Sequence, residues 1–325
     1  MKIGFSHRVT AMMMVLIMLF TMTPANVLAE ATHDHDAEVA SVIEVDALSV
    51  SASASADFVY AGEESVTVTA KIAGGLAPYE VTLQAVKDGS VVSTQSTVTE
   101  GTSAKLSFAP TSYGDYELVV TVHDAAHTQD LTSVSLAVAE HDTETEAEWA
   151  ASVSGASVSS NWARSLLSVA KTQLGYAESE KDFVLKSGAK QGYSRYGAWY
   201  GTPYAAWNIS FLAFAAEYAN IPTDAFLSGS SYRSWVNGFS NKGAYMTSDY
   251  TPKAGDIAFL SGSRVAVVES VSGSSVTVIE GDVNGTVARK NYAISKVVGF
   301  GNSELMQGLY NGTATAVPTA APEAT

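Results

Sequence analysis

The chemistry open to this chain is bounded first by what it lacks. None of its 325 residues is cysteine, which excludes thiol nucleophiles, thiolate metal sites and disulfides together. The histidines stand at positions 7, 33, 35, 123, 127 and 141, so residues 159–302 hold no imidazole to act as a general base. A serine nucleophile in that stretch would need another base. Ser210 would sit on a different helical face from Asn208, and Ser168 with Lys171 has a serine–lysine spacing that an amphipathic helix produces by chance. Glu280 and Asp282 form a carboxylate pair of the kind that runs glycoside chemistry, provided their strand stays regular and both share a face. Tyr193, Tyr196, Trp199, Tyr200 and Tyr204 offer flat amphipathic faces suited to sugar rings or peptide stems, and Trp207 and Asp282 complete a candidate ligand surface. The tetrapeptide His33-Asp34-His35-Asp36 has metal-binding residue types but no fixed geometry around it, so neither a metal site nor a cofactor is expected.

Those residues need elements to position them. A stripe of Trp162, Leu166, Val169, Ala170 and Leu174 predicts a helix over 161–174, stopped by Gly175. A second stripe, Trp207, Phe211, Phe214, Ala215 and Tyr218, predicts a helix over 205–218, ended by Asn220 and Pro222. Short strands are expected at 256–260, 264–270, 275–279 and 297–301, which gives an α+β pattern of helices on an antiparallel sheet. Earlier in the chain the period is two. Val66, Val68, Ala70 and Ile72, then Val81 and Leu83, then Tyr116, Leu118, Val120 and Val122 each alternate with outward residues. Turn signals at Gly74-Gly75, Asp88-Gly89, Gly101 and Gly114-Asp115 space these as an all-β sandwich of about seven strands.

Lys2 and Arg8 precede an apolar run at 11–20, with small residues at Val27 and Ala29, the order of a secretory signal over 1–29. The run is shorter than the roughly 20 residues of a spanning helix, and no later segment reaches that length, so no membrane span is expected in the mature chain. The expected division is an acidic disordered segment at 30–43, the sandwich at 44–140, a linker at 141–158, the α+β domain at 159–302 and a disordered tail at 303–325. Charge is uneven: 30–149 holds 21 acids against three lysines, while 150–325 holds 12 acids against 13 bases, within an overall −15. That balance excludes nucleic acid as a partner and makes the first half a soluble spacer.

Two resemblances follow from short motifs. Gly74-Gly75-Leu76-Ala77-Pro78-Tyr79 and Gly114-Asp115-Tyr116 resemble bacterial Ig-like and PKD-like repeats, in which Tyr116 would be either a corner tyrosine or an ordinary inward aromatic. Gln173-Leu174-Gly175-Tyr176, the run 192–201, Trp207 with Phe211, the run 252–257 and Ile279-Glu280-Gly281 resemble the CHAP family, cysteine- and histidine-dependent amidohydrolases and peptidases of papain-like fold that act on peptidoglycan. The resemblance implies a thiol after Trp207, where Asn208 stands, and a histidine where Arg264 opens Arg264-Val265-Ala266-Val267-Val268. An amide does not ionise and a guanidinium stays protonated, so neither takes the family role. Glu280 matches the residue that orients the imidazole, and its pairing with Arg264 is expected instead. The resemblance implies a secreted, cell-envelope-associated pseudoenzyme that binds peptidoglycan, another cell-wall component or a surface protein. The alternatives are a wall hydrolase using non-standard residues and a surface adhesion protein.

Overall fold

The computed structural model describes residues 45–222, 231–247 and 249–314. The expected export signal, the whole acidic segment 30–43 with its His-Asp tetrapeptide, and residues 315–325 of the expected tail lie outside these residues. The chain divides into two compact units, Met1–Ala139 and Glu140–Thr325.

Unit 1 is built from β1 (Ser49–Ala54), β2 (Phe58–Tyr60), β3 (Val66–Ala73), β4 (Tyr79–Lys87), β5 (Ser90–Thr99), β6 (Ser103–Phe108), β7 (Gly114–His123) and β8 (Gln129–Ala139). They form two sheets, β1-β3-β6 and β2-β8-β7-β4-β5, so eight strands replace the seven expected. The inward rows read from the alternation are the core: Val66, Val68, Val81, Leu118, Val120 and Val122 are fully buried. Each such side chain stabilises the sandwich by about 1.5–3 kcal/mol. Tyr116 serves in both ways the sequence left open, since it is buried and its hydroxyl donates to the Ser112 carbonyl oxygen at 2.9 Å. β5 differs from its neighbours. It has no inward apolar row, and Thr99, Thr97, Gln95 and Ser93 lie opposite the buried Tyr79, Val81, Leu83 and Ala85 of β4.

Unit 2 contains α1 (Glu146–Ser152), α2 (Trp162–Thr172), β9 (Phe183–Lys186), β10 (Ala189–Gly192), α3 (Arg195–Trp199), α4 (Asn208–Tyr218), α5 (Tyr232–Asn241), β11 (Tyr245–Met246), β12 (Ile257–Leu260), β13 (Arg264–Ser272), β14 (Ser275–Glu280), β15 (Ala288–Ala293), β16 (Gly299–Gly301) and α6 (Ser303–Tyr310). The main sheet runs β11-β16-β12-β13-β14-β15, with every pairing antiparallel. The apolar run of β12 is buried along its whole length because both faces of the sheet are covered. Ile257, Phe259, Val265, Val267 and Ile279 pack with α2 and α4 on one side, while Ala258, Leu260, Ala266, Val268, Val278 and Phe300 form a second cluster on the other.

Three boundaries differ from the sequence reading. The expected linker 141–158 contains α1, whose start is fixed by a capping box in which Thr145 and Glu148 exchange hydrogen bonds. The acids read as solvated spacer therefore include a helix signal. The expected tail from 303 begins instead with α6, capped by Asn302 and anchored by Met306, which is buried. The second helix starts at Asn208 rather than at 205, with Trp207 as its cap residue.

Candidate functional site

The site forms where the first turn of α4 meets the ends of β13 and β14. Phe211 packs so closely on Gly281 that a Cβ there would lie 2.6 Å from the Phe211 Cβ. Only glycine lets the helix start sit this near the strand. The β13–β14 ladder, which carries a register shift between Val268 and Ser270, ends at Val267 opposite Ile279. Beyond that pair the Asn208 amide stands between the strands: the Val265 N–H donates to Asn208 Oδ1 at 2.7 Å, and Asn208 Nδ2 donates to the Gly281 carbonyl at 2.8 Å and the Val265 carbonyl at 3.1 Å. Both amide hydrogens are used. The side chain acts as an inserted rung that satisfies three backbone groups next to buried strands, each worth roughly 1–3 kcal/mol if left unpaired.

Arg264 and Glu280 face each other as an ion pair, with Nη1 2.6 Å from Oε1. Glu280 is fully buried, and the Tyr292 hydroxyl donates to its second oxygen at 2.8 Å. Arg264 Nε is 3.3 Å from the Ser261 carbonyl. Burial, reinforced by the neighbouring Glu280 carboxylate, pushes the Tyr292 phenol up and keeps it a donor. Neither Tyr292 nor the rung made by Asn208 was read from the sequence; a lone tyrosine on an exposed strand carries no signal of a partner.

Asp282 sits at the start of α4, where its Oδ2 accepts from the Trp207 N–H at 3.0 Å, a favourable place for a carboxylate beside a helix N-terminus. Burial pushes its carboxyl up, against the Trp207 hydrogen bond and with the Glu178 and Glu280 carboxylates. Its φ of 61° breaks the regular strand that a Glu280–Asp282 catalytic pair requires. The two carboxylates are committed to different partners, Arg264 and Tyr292 for one and Trp207 for the other.

Residues 190–282 match the family model of the CHAP domain. The CHAP match ends at Asp282 and takes in Asn208, Arg264 and Glu280, the three positions gathered at this site. No curated protein matches the chain. Among solved structures, the chain is similar to the CARDB domain of the PF1109 protein from Pyrococcus furiosus (16% identity over 30% of this chain and 96% of that one, TM-score 0.23). It is also similar to CopC from Methylosinus trichosporium OB3b (18% identity, 31% and 100% covered, TM-score 0.24) and to the PKD domain of the human receptor SorCS2 (17% identity, 38% and 100% covered, TM-score 0.24). At these scores the three likenesses bear no further weight.

The aromatic surface expected in the CHAP region divides. Tyr196 and Trp207 are core residues, 0% and 1% exposed, with ring centroids 5.0 Å apart, and are withdrawn from the candidate ligand surface. Tyr196 donates to Gln173 Oε1, and the Trp207 indole donates to Glu178, a partner that no motif announced. Tyr193 is buried, Trp199 is half-buried against Phe214, Tyr204 is half-buried with its hydroxyl donating to Asp182 at 2.8 Å, and Tyr200 is 37% exposed, so Trp199, Tyr200 and Tyr204 are the named aromatics that keep accessible surface. The serines are likewise engaged: Ser210 Oγ is 3.2 Å from the Trp207 carbonyl, and Ser168 Oγ accepts from the Ser157 N–H. Lys171 lies 3.5 Å from Glu269. The sequence division left unit 2 without histidine, but the unit begins at Glu140 and includes His141, 3.9 Å from Asp182.

Proposed function

We propose that unit 2 is a non-catalytic CHAP-type module that binds peptidoglycan or another cell-wall component, on an exported chain in which acidic unit 1 is a spacer. The membership of 190–282 in a family related to peptidoglycan hydrolases supports the substrate class. One observation carries this reading: at Asn208, where the family resemblance implies the nucleophile, both amide hydrogens are bonded to backbone carbonyls. An amide in that state neither ionises nor attacks. Arg264, a permanent cation held by Glu280, supports the same reading because it accepts no proton. Trp199 and Tyr200 supply the stacking surface. The test is co-sedimentation of purified protein with peptidoglycan sacculi, followed by assay of the supernatant for soluble fragments. Binding without release, weakened at least fivefold by Trp199→Ala/Tyr200→Ala, is the expected outcome. Absence of sedimentation rejects the wall ligand, and fragment release above buffer rejects the non-catalytic assignment.

A further inference from the structure

Unit 1 carries an open strand edge that its role as a spacer does not use. β5 is the terminal strand of its sheet and pairs only with β4. Among the described residues, no backbone group of β5 hydrogen-bonds outside that pairing. Its register with β4 runs unbroken from Ser93 to Thr99 and shifts only near Val92. That leaves seven regular residues, roughly 23 Å of strand with unpaired outward groups. Two of the usual protections are missing, since β5 (SVVSTQSTVT) contains no proline and no charge. Val92 and Val98 are 53% and 67% exposed.

Beside this edge lies a crevice of about 390 Å³, lined by Ser93 and Gln95 of β5, Phe108 of β6, and Ser112 and Tyr116 at the start of β7. It has the size of one or two side chains, with aromatic walls and hydroxyls at its rim. The charged groups around the edge are Glu80, opposite Val98, Lys87, opposite Ser90 with its Nζ donating to Ser112 Oγ at 2.9 Å, Asp88 in the β4–β5 turn, Glu100 just beyond the strand, and Lys105 on β6. Residues 45–139 hold eleven acids against three lysines. A second copy of a chain with net charge −15 would bring like charge to this acidic unit.

We propose that β5 accepts an extended segment of a basic partner protein as an added strand, with backbone hydrogen bonds along Ser93–Thr99 and one incoming side chain seated in the crevice. The lysines or arginines flanking that segment meet Glu80, Asp88 and Glu100. This proposal does not depend on wall binding by unit 2. The probe is a synthetic ten-residue Thr/Val peptide with lysines at both ends, titrated into the full chain by fluorescence anisotropy beside the same peptide ended in glutamates. The lysine-ended peptide binds at least tenfold tighter, and Thr94→Lys/Val98→Lys, two exposed positions, removes that binding while the thermal midpoint is kept. Val98→Thr leaves it within twofold. Equal affinity for the two peptides, or binding unchanged in Thr94→Lys/Val98→Lys, overturns the proposal. So does self-association in sedimentation velocity that the double lysine variant abolishes, because a second copy would then be the occupant.

Discussion

Arg264 and Arg195 each pair with a glutamate in unit 2, and the surroundings of the two pairs differ. Arg264 meets a fully buried Glu280 through one nitrogen, on neighbouring strands of one sheet and within a family motif. Arg195 meets Glu144 through two, with Nε to Oε2 at 2.7 Å and Nη2 to Oε1 at 2.5 Å, and its guanidinium lies 4.5 Å from the Tyr176 ring centroid. Glu144 belongs to the segment read as a linker. The Glu144 N–H also donates to the Tyr193 hydroxyl, Asp142 bonds Ser179 and Asp182, and Ser152 and Gln173 are joined at the far side of α1. The first pair closes a site; the second fastens a segment. One chemistry thus serves two ends, and burial of the carboxylate separates them: removing Arg264 strands a charge, whereas removing Arg195 leaves a glutamate that water reaches.

Four measurements test these bonds, from the largest effect to the smallest. Asn208→Ala orphans the Val265 and Gly281 backbone groups and lowers unit 2 stability by about 3–5 kcal/mol in urea unfolding; a loss below about 1 kcal/mol would remove the rung from the account. Arg264→Ala costs about 3 kcal/mol because Glu280 keeps only Tyr292, while Glu280→Gln, which leaves the half-exposed Arg264 free to reach solvent, costs about 1 kcal/mol. Equal losses would show that burial does not set the asymmetry. Glu144→Ala costs about 2 kcal/mol, between exposed and buried pairs, and raises amide exchange across 140–152 with β13 and β14 unchanged. Exchange that rises uniformly contradicts a local fastening. The smallest effect is on pH. Burial pushes the Tyr245 phenol up to about 12 from 10.0, and its hydroxyl donates to the Val298 carbonyl. A folded value above the unfolded one means stability is whole below pH 10 and declines as pH rises toward about 12. Tyr245→Phe, followed by denaturant midpoints across that range, should flatten the decline.

Much of the fold was legible because its signal is periodic. The alternations at 66–72 and 116–122, and the stripe through Trp162, Leu166 and Val169, name the buried faces directly. β5 was not legible as a buried-face strand because its residues opposite the β4 core row are serine, threonine and glutamine. The segment 140–152 was misread because composition outweighed the Thr145-x-x-Glu148 box, and no local pattern reveals that Arg195, 51 residues on, holds Glu144. At the site, the positions of Asn208, Arg264 and Glu280 were readable from motif order, but the three backbone bonds made by the Asn208 amide were not. Tyr196 and Trp207 show the same limit, since an aromatic-rich loop reads alike whether its rings face a ligand or pack on one another.

The account stands on Asn208 and Arg264 having replaced reaction chemistry with bonds internal to unit 2. Release of labelled fragments from sacculi, measured for the purified chain beside its Glu280→Gln variant, tests this most directly. Both should match buffer alone. Turnover by the unaltered chain that disappears in Glu280→Gln would contradict the account, because that carboxylate would then be serving a reaction rather than an arginine.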